Sequence, residues 1–202
     1  MKFADLFESP QYTFPTEFNL DDPQANIQTA KDLLSDKRKT PIAKSGQHGE
    51  YTLYELPRSF VLVDHSDEQQ PKVAYVMKYK LVFHRFVGKQ CAQQIIVWSN
   101  TKDPNTVNLA KDIFFNHLLA NYKTVITDSN QTSDGQRFWD RRIVEALQQN
   151  LFVYYINLLP TREIVPITDY KQFQQLSNDK EIWGNDPKHQ ARRIIITTTQ
   201  LK

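Results

Sequence analysis

The stretch Lys72 to Phe86 constrains this chain more than any other, because it reads as one long alternating strand. Val73, Tyr75, Met77, Tyr79, Leu81 and Phe83 fall at every second position and are expected to share one face. Gly88-Lys89 supplies a turn, and Gln90 to Trp98 returns as the partner strand. Upstream, Tyr51 to Leu56 and Ser59 to Val63 flank Pro57-Arg58, and a polar loop from Asp64 to Pro71 leads into the long strand. These runs predict an antiparallel meander.

The second half changes period. Asn105 to Ala120 places Leu109, Ile113, Phe114 and Leu118 at helical spacing, and Thr124 to Thr127 is a short apolar strand. Ser133 followed by Gln136 matches a capping box, opening a helix that would bury Phe138, Ile143, Ala146 and Leu147. Asp140, Arg141 and Arg142 are read as its solvent face. Leu151 to Ile156 and Arg193 to Thr197 read as strands, with a short amphipathic helix from Asp169 to Leu176 between them. Parallel pairing of the Thr124 strand requires crossovers, which the two long helices supply. The expected fold class is mixed α/β (α+β), a central, mostly antiparallel twisted sheet flanked by helices.

Residues 1–45 read as an arm. Pro10, Pro15, Pro23 and Pro41 interrupt them, Asp22 and Pro23 open one short helix, and Lys37-Arg38-Lys39 closes it. Nothing there reads as core sheet, so the domain is expected to occupy 46–202. The charge balance of 25 basic against 23 acidic residues gives no general attraction to nucleic acid, which makes that partner unlikely. No run approaches a membrane span and the first residues lack a signal-peptide pattern, so the expected location is the cytoplasm, without a membrane partner. The single cysteine, Cys91, lies in an apolar strand and is expected to be buried and inert.

The most distinctive polar stretch runs from Asp128 to Trp139, between a strand end and a helix start. Such a junction attracts anions and often lines a site; the same residues also serve as turn and cap chemistry. The five histidines, among them His84 and His117, show no metal-ligand spacing, and no metal site is expected. Serine-hydrolase, Walker and dinucleotide motifs are absent, and only five glycines occur in the chain. Lys188, His189, Arg192 and Arg193 form a small basic patch, able to touch phosphate or an acidic partner, or simply a solvated lead-in to the last strand.

The order of elements from Tyr51 to Asn157 resembles the GCN5-related N-acetyltransferase (GNAT) fold. Val125-Ile126-Thr127-Asp128-Ser129 with Asp134-Gly135 and Trp139, and the opening Leu6-Phe7-Glu8-Ser9-Pro10, are similar to GNAT-like proteins of tailed bacteriophages. That resemblance implies acetyl-CoA held by a strand and an [RQ]-x-x-G-x-[GA] loop. Here it maps the contacts onto Val97, Ser99, Asn105, Thr106 and Asn108, where neither arginine nor glycine occurs from Ser99 to Ala120. Side chains at Thr106 and Asn108 would crowd amides that must approach phosphate, and Asp103 adds like charge. Two expectations follow. The first is a scaffold without cofactor that acts through contacts with a host or virion protein, in the host cytoplasm or the virion, with Tyr12, Phe14, Phe18 and Trp183 as contact area. The second is an acyltransferase with an atypical loop, binding acetyl-CoA, in which Asp128, Ser129 or His117 would handle protons.

Overall fold

The computed structural model describes the chain except residues 1–19, 47–48, 101–102, 129–132, 159–162, 181, 184–190 and 202. It is a mixed α/β fold on one open sheet. The strands are β1 Thr40–Ser45, β2 Tyr51–Leu56, β3 Ser59–Asp64, β4 Lys72–His84, β5 Lys89–Ser99, β6 Thr124–Ile126, β7 Phe152–Asn157, β8 Glu163–Ile167 and β9 Arg192–Thr197. Helix α1 is Pro23–Ser35. Helix α2 is composite: Leu109–Asp112, a π-helical stretch Ile113–Leu119, and Ala120–Tyr122. Helix α3 is Ser133–Gln148 and α4 is Tyr170–Lys180. The strand order is β1-β2-β3-β4-β5-β6-β9-β7-β8, antiparallel throughout except for the parallel pair β5/β6. Among the described residues, no helix is long and apolar enough to cross a membrane.

The main core lies between one sheet face and helices α2, α3 and α4. Tyr75, Met77, Tyr79, Ala92 and Val125 meet Ile113, Phe114, Leu118, Trp139 and Ile143 there. Trp139 stands edge-on to Phe114 with centroids 5.5 Å apart, a favoured aromatic geometry. The opposite face carries α1 over Val61, Val63, Val73 and Val76.

Several expectations need correction. Val73 does not share a face with Tyr75, because an irregularity in the β3/β4 register at Ala74 shifts the alternation by one. Val73 therefore turns toward α1, while Phe83 ends the Tyr75 face at 70% exposure. Residues 40–45, expected to lie outside the sheet, form its edge strand β1 against β2. A short, polar strand holding Pro41 gave no pattern to read, and prolines suit edges because they cannot donate to a further strand. Strand β8, the opposite edge, is apolar but only five residues long and interrupted by Pro166, and was likewise not expected. Helix α2 starts at Leu109 after a separate 3₁₀ turn, Pro104–Thr106. Arg142, read as solvent-facing, is only 6% exposed and lies over the Phe138 ring. Its Nε is 2.8 Å from Glu145 Oε2 without the alignment of a hydrogen bond.

Besides its packing on the sheet, helix α1 is hydrogen-bonded to it through the Asn26 side chain. The Asn26 amide donates to the carbonyls of Leu20 and Val73, both at 3.1 Å, and its oxygen accepts from the Val73 amide at 2.6 Å. Removing it strands buried backbone groups. Asn26→Ala is expected to cost about 2 to 4 kcal/mol in chemical denaturation; a loss under about 0.5 kcal/mol would mean that α1 hangs independently.

Candidate functional site

Strands β5 and β6 form a fork. Among the described residues they pair at two positions, Ala92 with Val125 and Gln93 with Ile126. Beyond Gln93, β5 continues to Ser99 against β4, with a bulge opposite Lys78/Tyr79. The fork is pinned at its crotch. Buried Gln93 donates through Nε2 to the Thr127 carbonyl at 3.0 Å, and Thr127 exchanges 3.0 Å hydrogen bonds with the Ile194 backbone through its own amide and Oγ1.

That anchoring delivers Asp128 to the mouth of the fork. Burial pushes its carboxyl up from 3.8 to about 6, opposed by the positive charges of Arg193 and then Lys80. Burial likewise lowers the Arg193 guanidinium, and the Asp128 charge offsets this. A half-buried carboxyl that titrates near neutrality beside an arginine can accept or return a proton.

The other proton-handling candidates are not brought to it. Ser129 lies outside the described residues, as do Lys188 and His189 of the basic patch. His117 lies on the π-helical part of α2, where an i,i+5 spacing aligns it with Asp112 at 3.9 Å. Its ring packs 5.4 Å from Phe60 on the α2 side of the sheet. Asp128 responds to Lys80, whose neighbours Tyr79 and Leu81 point into the α2 core, so Lys80 projects from the other side.

The loop expected to meet a cofactor is closed on itself. Asp103 Oδ1 accepts from the Asn105 amide at 2.9 Å and from Asn105 Nδ2 at 3.2 Å. The Thr106 amide donates to the Asp103 carbonyl and the Val107 amide to the Pro104 carbonyl, each at 3.1 Å. Buried Thr106 directs its hydroxyl to the carbonyls of Asp103 and Asn100. Asn108 takes a left-handed conformation, φ 62°, and does not cap α2 through its side chain. Val97 is half-buried against the main core, and Ser99 pairs with Tyr75 at the strand end. Tyr51 reaches this loop, and its phenol is pushed up by burial and by a hydrogen bond to Asp103.

Sequence reasoning missed two contributors, Gln93 and Tyr51, which were read only as strand residues. Arg193 was placed in a basic patch able to touch an acidic partner, or in a solvated lead-in, without its link to Asp128. The one available signal for Arg193 was its place two positions from Ile195, on the same side of β9. Tyr12, Phe14 and Phe18 lie outside the described residues, and Trp183 is half-buried against Phe173.

No family model, curated protein or solved structure matches this chain.

The elevated Asp128 carboxyl sets a sign. Its protonated form is favoured in the fold, so its contribution to stability is intact below pH 3.8 and is lost as pH rises through 6. Carbon-detected NMR should find its midpoint near pH 6, and Arg193→Met should move it higher. A midpoint near 4 in both proteins would remove Asp128 as a proton carrier.

Proposed function

We propose that this chain is a GNAT-like scaffold that does not hold acetyl-CoA in the manner of that fold and acts by binding another protein. Three features support the GNAT-like part. A parallel β5/β6 pair opens into a fork after two residue pairs, a bulge in β5 lies at the opening, and β9 inserts between β6 and β7. Helices α2 and α3 fill the two crossovers.

The observation that carries the loss of cofactor is the carboxylate of Asp103. It occupies the loop's own donor at Asn105, while the next two amides are bonded within the turn. An incoming pyrophosphate would have to displace these bonds and lie beside a negative charge, with no glycine to let backbone approach it. A scaffold of this shape then works through its surfaces, and a protein of a host cell or a virus particle is the partner class in keeping with the resemblance. The exposed apolar side chains Phe83 and Val107 are available for such contact.

The second reading, an acyltransferase, is favoured by one observation only: Asp128, with its raised pKa, stands at the mouth of the fork where an acyl group would emerge.

Calorimetric titration separates the two. At about 1 mM acetyl-CoA no saturable heat is expected from the wild-type protein, and no rise in melting temperature. Micromolar binding, with acetyl transfer to an amine that fails in Asp128→Asn, would replace the scaffold reading with the enzyme.

A further inference from the structure

The hairpin joining β4 and β5 does more than continue the sheet. Its tip bends back so that Phe86 and Val87 pack on Cys91, Ile126, Tyr154, Ile156 and Ile195, a buried apolar floor on the side away from α2. Two backbone bonds close the tip, from the amides of Val87 and Gly88 to the His84 carbonyl at 3.0 and 2.9 Å. Gly88 supplies the positive φ of 70° that this turn requires.

His84 is the group held down by this fold-back. It is 8% exposed, its ring rests 5.8 Å from that of Phe86, and neither ring nitrogen has a hydrogen-bond partner among the described residues. A neutral imidazole carries one N–H and one lone pair, so both are left unsatisfied while the tip is docked. The charged groups around it share one sign. Arg85 follows it, just past the end of β4, and Arg193 approaches from β9, both acting to keep it neutral, and Lys89 is its register partner across the hairpin. Beyond Arg193 lie Asp128 and Lys80. From the β7 side, the Tyr154 hydroxyl is engaged by the Leu201 amide.

We propose that the β4–β5 tip is an acid-released latch: protonation of His84 puts an unpaired cation between two arginines, so the tip lifts and uncovers the apolar floor. The exposed neighbour Phe83 moves with it. Burial holds His84 down at about 4 against an ordinary 6.5. Docking is therefore intact above pH 6.5 and weakens progressively as pH falls toward 4. This inference is independent of whether a cofactor binds.

Cys91 reports on the latch. It is the only cysteine in the chain, is fully buried in the floor, and burial pushes its thiol up to about 11. The full-length protein is labelled with 4,4′-dithiodipyridine, which reacts with thiols in mild acid, and each rate is normalised to a free thiol at the same pH. Between about pH 7 and pH 4.5 the rate should rise about tenfold. Tryptophan emission should not change, because none of the three tryptophans packs on this floor: Trp139 and Trp183 belong to the main core and Trp98 to the cluster under α1. His84→Phe, which keeps an apolar ring without a titrating group, should label at a flat, low rate. A flat wild-type profile, an equal rise in His84→Phe, or labelling that tracks a red shift in tryptophan emission would each overturn the latch.

Discussion

Two residue pairs join β5 to β6, and the meander of the first five strands meets the crossover half of the sheet there. A parallel contact that short has little ladder energy of its own. Side chains reinforce it: Gln93 bonds the Thr127 carbonyl, and Thr127 bonds β9 through both its amide and its hydroxyl. A second clasp lies at the other end of β6, where Thr124 and Thr197 share a hydroxyl bond at 2.9 Å. Because β9 is inserted between β6 and β7, the last strand of the chain secures a joint made in its middle. The position of Asp128, the fork, and the packing of α2 and α3 on one face all follow from that joint.

The two faces of the sheet have different chemistry. One is a large apolar core roofed by helices, into which Nε and Nη1 of Arg142 and the hydroxyl of Tyr75 are drawn without hydrogen-bond partners among the described residues. The other is covered in pieces, by α1 at one end and by the hairpin tip at the other, and its charged residues gather where these covers leave off. A loop that satisfies its own donors through Asp103 and a histidine that satisfies none are opposite cases of one rule. Buried polar groups either find partners within the fold or become the places where it is easiest to open.

Much of this was legible from residues alone, and the reasons are local. The alternation from Tyr75 to Leu81, the helical spacing of Ile113, Phe114 and Leu118, and the apolar run Ile194 to Ile196 each reflect burial with a fixed period. What escaped notice depended on packing that a regular period does not carry. Val73 changes face at an irregularity in the β3/β4 register, Arg142 is buried over the Phe138 ring one turn before it, and β1 pairs along the edge of β2. Asp128 was identifiable by its strand-to-helix position. Its elevated carboxyl and its arginine neighbour depend on β9, some sixty-five residues later, and no local pattern encodes them.

The strand order is the claim on which the rest stands, and amide hydrogen exchange resolved by NMR tests it directly. With β9 enclosed between β6 and β7, the amides of Ile194, Ile195 and Ile196 should be among the slowest to exchange in the protein. Those of the edge strands β1 and β8 should exchange far sooner. Exchange of the three isoleucine amides as fast as that of the edge strands would mean that β9 is not enclosed. The fork, the placement of Asp128 and the GNAT-like reading would then all lose their basis.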